Sequence, residues 1–245
     1  MEILKAEQIS KRFGDKEVLQ NVSLTLNAGE IVGVLGVSGG GKTTLFNVLS
    51  GVCAPDGGRV LLRGEDVTGK PGKVSYMLQK DLLFPYRRVV DNVCLPLTLR
   101  GMSRREARAA AEPYFEPFGL AGTQTLYPAQ LSGGMRQRAA FLRTYLASDG
   151  VALLDEPFSA LDAITKRTMH KWYLGVMRTI ELSVLLITHD VDEAILLCDR
   201  VYILSGKPGE IRAQIRIDKE KTEDFALSTD FLDYKRQILA AMHLD

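Results

Sequence analysis

The chain has 245 residues, 46% of them hydrophobic, with 31 Lys and Arg against 30 Asp and Glu, for a formal net charge of +1. That length and apolar content support a sizeable core in one or two domains. The near-zero charge gives no whole-domain electrostatic footprint for nucleic acid and leaves only a local basic patch open. Met1-Glu2-Ile3-Leu4-Lys5-Ala6-Glu7 breaks its apolar residues with charge, which predicts no signal peptide. No uncharged apolar run approaches the ~18 residues that span a bilayer, so the chain is expected not to be an integral membrane protein. Cys53, Cys94 and Cys198 are isolated, without C-x-x-C spacing, and predict reduced, mostly buried thiols of a cytosolic protein.

Residues 2–9 and 18–27 alternate as strands, joined by a turn at Phe13-Gly14-Asp15. Phe13 is either a flat surface for a base to stack on or a core or turn aromatic. Ile31-Val32-Gly33-Val34-Leu35 is an apolar, β-branched run that reads as a buried strand. Directly after it, Gly36-Val37-Ser38-Gly39-Gly40-Gly41-Lys42-Thr43-Thr44 fits G-x-x-x-x-G-K-[ST], the Walker A phosphate-binding loop. Lys42 starts a helix with Leu45, Val48 and Leu49 on one face. The glycines let the backbone turn tightly around a phosphate chain, consecutive N–H groups point inward, and the helix N-terminus adds positive potential. Lys42 then reaches the β- and γ-phosphates, and the Thr43 hydroxyl binds Mg²⁺. The alternative is a glycine-rich turn that binds nothing, yet strand, loop and helix all fall where the chemistry needs them.

Asp56-Gly57-Gly58 is a turn signal, followed by strands at 60–62 and 74–77. Gln79 closes the second strand; alone it fits a structural role equally well. Residues 80–146 change character and read as a helical insertion into an α/β domain. Leu82-Leu83-Phe84-Pro85-Tyr86 looks like an exposed apolar loop. From 89 to 118 the pattern is helical, broken by Pro96, Pro113 and Pro117, and Arg100, Arg104, Arg105 and Arg108 read as a solvated helix face. In Leu131-Ser132-Gly133-Gly134-Met135-Arg136-Gln137-Arg138, Ser132 reads as an N-cap and Met135 to Tyr145 as a helix. The free N–H groups there offer a second anion-binding end, or a plain cap.

Val151-Ala152-Leu153-Leu154 is an apolar strand ending in Asp155-Glu156. Two adjacent carboxylates at the end of a buried strand are costly without a partner. A Mg²⁺ opposite Thr43 supplies one for Asp155, while Glu156 points elsewhere and can hold a water. Ser159-Ala160-Leu161-Asp162 turns into a helix running to about Glu181, in which Trp172 packs. Ser183-Val184-Leu185-Leu186-Ile187 is another buried strand, ending at Thr188-His189-Asp190, and His189 stands where open α/β sheets bind ligands. His170 and His243 read as surface residues. Strands at 201–204 and 211–217 flank a turn at 206–209. Asp230 to Leu244 is an amphipathic helix whose Phe231, Tyr234, Ile238 and Met242 cap the domain.

The ordered set of Walker A, Gln79, L-S-G-G-x-x-Q-R, the Asp155-Glu156 strand, Ser159 to Asp162, and His189 resembles the ATPase subunit of ABC transporters over about residues 1–215. The resemblance implies an α/β P-loop NTPase (RecA-like) core with an antiparallel β subdomain and a helical insertion. It implies an ATPase domain at 1–217, with the insertion at about 80–146, and a tail at 218–245 with a capping helix. It makes Lys42, Gln79, Glu156 and His189 the catalytic group, ATP the ligand, and Thr43, Gln79 and Asp155 the Mg²⁺ ligands. Phe13 stacks on the base. Gln79 senses the γ-phosphate, Glu156 polarises the attacking water, and His189 contacts both. Ser132, Gly133 and Gly134, with Gln137 in the same stretch, close on ATP held by the other subunit. Asp162 communicates across the dimer. Val37 stands where proline is common, and Thr43-Thr44 replaces the frequent Ser-Thr.

A finer resemblance is to importers of the nitrate, sulfonate and taurine class, which also includes thiamine-precursor transporters. It rests on Leu83-Phe84-Pro85-Tyr86, Asn92-Val93-Cys94-Leu95-Pro96-Leu97, Thr188-His189-Asp190-Val191-Asp192-Glu193-Ala194, and Asp199-Arg200-Val201 through Ser205-Gly206-Lys207-Pro208-Gly209, with Tyr86 where Trp is common. It implies an energy subunit on the cytoplasmic membrane face. The implied partners are a second copy in a head-to-tail ATP sandwich, a permease whose cytoplasmic helix docks at 82–86, and indirectly a substrate-binding protein, with no nucleic acid. The rival is a soluble ABC ATPase acting on nucleic acid or ribosomes. Such chains carry two of these domains or a long coiled-coil insertion, whereas each motif here occurs once and the insertion is short. A P-loop kinase or GTPase is disfavoured by L-S-G-G and by the absence of N-K-x-D.

Overall fold

The computed structural model describes residues 1–222 and 224–242, so His243 and the expected end of the last helix at Leu244 lie outside the described residues. β1 (Glu2–Phe13) and β2 (Lys16–Asn27) form a hairpin longer than the alternation predicts. β4 (Gly57–Leu62) and β5 (Glu65–Asp66) complete an antiparallel sheet of order β2-β1-β4-β5. The expected turn at Asp56-Gly57-Gly58 is instead the entry to β4. Gly58 has φ +85°, and a Cβ there would lie 2.3 Å from the Glu7 carbonyl oxygen. The glycine serves a close strand approach where β1 shifts register, not a reversal.

The second sheet contains β3 (Ile31–Leu35), β6 (Ser75–Met77), β7 (Val151–Asp155), β8 (Ser183–Thr188), β9 (Arg200–Ser205) and β10 (Glu210–Arg216). Its order is β10-β9-β3-β8-β7-β6, parallel except for β10 against β9. Every residue of β3, β7 and β8 is buried. Both faces of a parallel sheet are covered, which is why these strands read as unbroken apolar runs. On one face, Val32, Val34, Leu153 and Leu185 join Leu45 and Phe46 of α1 (Lys42–Leu49) and Leu4 and Leu24 of the antiparallel sheet. On the other, Leu35, Leu154 and Leu186 join the helical layer.

Between β6 and β7 lie α2 (Val89–Val93), α3 (Leu95–Leu99), α4 (Arg104–Phe115) and α5 (Gly133–Ala147). The helical pattern breaks at Pro96 and Pro117 as expected, but not at Pro113. Pro96 sits in the first turn of α3, where its missing N–H has no partner to lose. Pro113 lies inside α4; it is exposed, as is Ala109 four residues before, so water reaches the freed carbonyl. The basic cluster is only partly a solvated face: Arg108 pairs with Asp91 at 2.7 Å and Arg100 with Asp149 at 3.6 Å.

α6 (Ala163–Met177) ends before Glu181. Trp172 packs against Phe118 and Phe141, as expected. α7 (Val191–Leu197) follows β8, and α8 (Thr229–Ala241) closes the described chain with Phe231 and Ile238 in the helical-side core. Cys94 and Cys198 are buried, and burial pushes their thiols up to about 11 and about 12, while Cys53 is half-buried. Among the described residues, no helix is long and apolar enough to cross a membrane.

Candidate functional site

The register of the parallel strands assembles the site. Leu35 pairs with Thr188, Asp155 with Ile187, and Met77 with Leu154. The carboxyl ends of β3, β8, β7 and β6 are therefore level, and the residues just beyond them become neighbours. These include Gly36, His189, Glu156 and Gln79.

The phosphate loop turns tightly out of β3. A Cβ on Gly36 would sit 2.2 Å from the Leu204 carbonyl oxygen, so only glycine lets the loop pass β9. Gly41 caps α1 with φ 92°, a left-handed conformation that other residues rarely hold. Val37, Ser38 and Gly39 are exposed at the rim, whereas Gly40 is buried. Lys42 is only 6% exposed, and its Nζ donates to the carbonyls of Gly36 at 2.7 Å and Val37 at 3.0 Å. The ammonium thus lies inside the loop. Burial lowers its pKa from the usual lysine value, against the pull of Glu156 and Asp155. Thr43 is exposed and Thr44 half-buried in the first turn.

Asp155 closes β7 with 6% exposure. Its carboxylate accepts from the Tyr76 hydroxyl at 3.1 Å and is hydrogen-bonded to Thr43. Burial raises its pKa above the ordinary carboxylate value. A buried carboxylate beside an exposed threonine hydroxyl suits a hard cation. Among the described residues no group of three or more His, Cys, Asp or Glu could hold a metal. A Mg²⁺ here would complete its shell from phosphate oxygens and water, as that ion usually does.

Glu156 has φ 46°, in the left-handed region, and its N–H donates to the Ile187 carbonyl at 3.0 Å. This turns its side chain away from Asp155. Glu156 Oε1 lies 3.1 Å from His189 Nδ1, and Oε2 accepts from Gln79 Nε2 at 3.3 Å. Gln79 also reaches Ser159 Oγ at 3.2 Å, and that hydroxyl donates to the Glu156 carbonyl at 2.9 Å. The structure therefore joins Gln79, Glu156 and His189 in one hydrogen-bonded group beside Lys42 and Asp155. A carboxylate so held can orient a water against a phosphate on the loop.

Other expected site residues lie apart. Phe13 is 54% exposed, with Lys11 Nζ 5.4 Å from its ring centre, so it is not a core aromatic; it ends β1 at the turn, where both the turn and the stacking readings place it. Ser132 caps α5, its Oγ accepting from the Met135 N–H at 3.2 Å. A side chain at Gly133 or Gly134 would meet Leu161, Thr165 and Met169, not the phosphate loop. Gln137 is buried and lines a small interior cavity with Phe141, Phe158 and Tyr173. Asp162 caps α6, accepting from the N–H groups of Ile164 and Thr165, and the Thr165 hydroxyl together with these N–H groups holds its pKa below the usual value.

Several groups escape a reading of the sequence. His170, read as a surface residue, has a side chain only 12% exposed and lies 3.2 Å from the buried Glu193 carboxylate. α6 packs that face against α7, and Lys166 bridges Glu193 at 3.3 Å and Asp190 at 2.7 Å. Leu83 is buried, unlike its neighbours Leu82, Phe84 and Tyr86. Asn92 is fully buried; it accepts from the Phe84 N–H at 2.6 Å and donates to the carbonyls of Phe84, Arg87 and Arg88. Its only sequence signal is a polar residue inside the apolar 89–97 stretch. Arg143 of α5 donates to the Leu82 carbonyl at 2.9 Å, and Arg136 reaches Asp81 at 3.4 Å, which tie the loop to the helix that Ser132 caps.

Comparison with known proteins matches residues 19–159 to the ABC transporter family. The formylaminopyrimidine import ATP-binding protein ThiZ of Halalkalibacterium halodurans is 43% identical over 208 residues, covering 84% of this chain and 81% of that protein. The nitrate import ATP-binding protein NrtD of Synechocystis is 36% identical, covering 94% and 89%. The taurine import ATP-binding protein TauB of Yersinia pestis is 38% identical, covering 88% and 85%. The ATP-binding cassette MJ0796, solved as a dimer in a post-hydrolysis state bound to ADP and Pi, superposes with TM-score 0.74 at 27% identity, covering 89% of this chain and all of that one. The cbiO1 subunit of Clostridium perfringens superposes with TM-score 0.80 at 23% identity, a likeness of fold, covering 97% and 99%.

Proposed function

The chain belongs to the ABC transporter family of ATP-binding proteins and is an ATPase, and from that premise we propose that it is the energy-coupling subunit of an importer for a small polar solute. The solute class is inferred from relatives named for nitrate, taurine and a formylaminopyrimidine. The subunit works at the cytoplasmic face of the membrane, as a peripheral partner of a separate permease that a substrate-binding protein supplies. The ATPase unit is residues 1–217, and 218–245 form a tail whose helix caps it.

The observation that carries this reading is the convergence of Lys42, Asp155, Glu156, Gln79 and His189 at the level strand ends. Lys42 and the loop N–H groups, from Gly36 to Thr44, hold the phosphates, and Phe13 supports the base. Thr43, Asp155 and Gln79 would hold Mg²⁺, which when bound neutralises charge on the transferring phosphoryl group. Glu156 orients the attacking water, and His189, bonded to it, sets the carboxylate's direction. Ser132, Gly133 and Gly134 are the face offered to the nucleotide of a second copy.

Glu156→Gln tests the assignment. It keeps the hydrogen bonds' shape and removes the water-orienting charge. ATP binding should persist while turnover falls by about 10²–10³, the usual loss for one preorganised catalytic group. Turnover within a few-fold of wild type would refute the role of Glu156.

A further inference from the structure

The Tyr76 hydroxyl donates to Asp155 Oδ2 at 3.1 Å, and the register of β6 on β7 explains how it reaches. Tyr76 pairs with Leu153, two residues before Asp155. Alternate residues of a strand share a face, so Leu153 and Asp155 stand on one side of the sheet. Leu153 packs there with Leu45 and Phe46 of α1, and Tyr76 packs against the same cluster. The half-buried Tyr76 ring meets the fully buried Phe46 ring edge-on, with centroids 5.9 Å apart and planes at 76°. A phenylalanine would fill this place against Phe46 equally well. Only the hydroxyl needs a tyrosine, and it goes to the carboxylate.

That carboxylate has little else to orient it. The last torsion of an aspartate is broad and prefers no single setting, so its partners decide how it stands. Thr43 is hydrogen-bonded to Asp155, but Thr43 belongs to the phosphate loop and its helix, and would itself ligate Mg²⁺. Tyr76 acts from β6, outside that loop. Three residues on, the Gln79 amide donates to Glu156 Oε2 at 3.3 Å. The end of β6 therefore holds both members of the Asp155-Glu156 pair, one through a hydroxyl and the other through an amide. Donors that bond a metal ligand from behind fix its direction, and losing one typically costs about 10–100-fold in metal affinity or activity.

We propose that Tyr76 is a positioning residue for the metal, its hydroxyl holding the Asp155 carboxylate in the orientation that receives Mg²⁺. The inference rests on the reading that Asp155 holds Mg²⁺, and it adds the side chain that aims it.

The test measures Mn²⁺ binding to the full chain with ADP by electron paramagnetic resonance, since Mn²⁺ suits the same oxygen ligands as Mg²⁺. Tyr76→Phe keeps the ring and removes only the hydroxyl. It should raise the Mn²⁺ concentration at half saturation by about ten-fold. ADP affinity in EDTA should stay within about two-fold of wild type, because the loop N–H groups that hold the phosphates are untouched. The Mg²⁺ concentration for half-maximal ATP turnover should rise in parallel, with the KM for ATP at saturating Mg²⁺ unchanged. A tyrosine that only packs would lower the melting temperature and move neither metal dependence, and that result would overturn the proposal. Asp155→Ala tests the reading beneath it. It should weaken Mn²⁺ binding more than Tyr76→Phe does, and adding Tyr76→Phe to it should change the affinity by less than about two-fold, as for groups that act as one unit. A further loss of about ten-fold in the double variant would overturn the proposal, since Tyr76 would then act without the carboxylate. Unchanged Mn²⁺ binding in Asp155→Ala would overturn both the reading and the proposal. A loss in Asp155→Ala with Tyr76→Phe at the wild-type value would leave the metal on Asp155 and remove Tyr76 alone.

Discussion

Asp155 shows at residue scale how function and stability oppose each other. Burial holds its carboxyl above the ordinary carboxylate value in the folded chain, with only Tyr76, Thr43 and Lys42 to compensate. The unfolded chain gives up that proton more readily. Above about pH 4 the ionised group therefore costs stability, and the cost disappears as the pH falls and the folded chain takes up the proton. Asp155→Asn keeps the shape and removes the charge. It should melt higher than wild type at pH 7, by about 2–4 °C for each 1 kcal/mol relieved in a chain of this size. The gap should narrow towards pH 4, and Mg²⁺-dependent turnover should be lost. A melting temperature at or below wild type at pH 7 would contradict this account. The cost of adjacent carboxylates on a buried strand is legible in the sequence. So is the expectation that Glu156 points away from Asp155; the left-handed turn at Glu156 that directs it is not.

The loop after β6 is the element in which neighbouring residues divide their roles. Leu83 is 8% exposed, whereas Phe84 and Tyr86 are 49% and 94% exposed. Leu83→Ala should destabilise the chain by about 2–4 kcal/mol, as truncations of buried leucines do. Phe84→Ala and Tyr86→Ala should leave the melting temperature near wild type yet weaken the permease complex by ~1–2 kcal/mol or more, the usual range for exposed aromatic anchors. A large drop in stability for either, with pull-down per folded molecule intact, would turn these rings into core residues. Asn92 makes the loop rigid enough for such a role. Asn92→Ala would strand the Phe84 N–H and the Arg87 carbonyl, while the Phe84 and Arg88 carbonyls keep the backbone N–H groups of Arg87 and Asn92, costing about 1–3 kcal/mol measured by denaturant unfolding. The loop was visible in the sequence as an apolar run interrupted by Pro85. The burial of Leu83 and the grip of Asn92 were not, since both are made by helices that follow later in the chain.

The whole molecule holds one phosphate loop and one Ser132-Gly133-Gly134 helix start, and the fold turns that start towards α6 rather than towards its own phosphate loop. In the head-to-tail pair proposed above, with a two-fold axis, each site would be completed by the other copy. Glu156→Gln with ATP and Mg²⁺ should elute as a dimer in size-exclusion chromatography, because the bridging γ-phosphate is not released. Wild type under the same conditions should return to monomer as ATP is consumed. A monomeric Glu156→Gln protein at high protein and ATP concentration would count against the pairing.

What the sequence determined by itself is whatever depends on residues close together in the chain. The phosphate loop lies within nine consecutive residues, Gly36 to Thr44, between a strand and a helix that their periods reveal, and the caps Ser132 and Asp162 act on N–H groups two or three residues on. The tertiary structure decided which distant residues meet. Strand register brings Gln79, Glu156 and His189 together, since only pairings such as Asp155 with Ile187 make the strand ends level. Packing of α6 on α7 buries His170 against Glu193, and the approach of β4 to β1 makes Gly58 a strand residue instead of a turn. Helix and strand periods record which face is apolar, but not which element covers it, and that choice is made by burial across the whole chain.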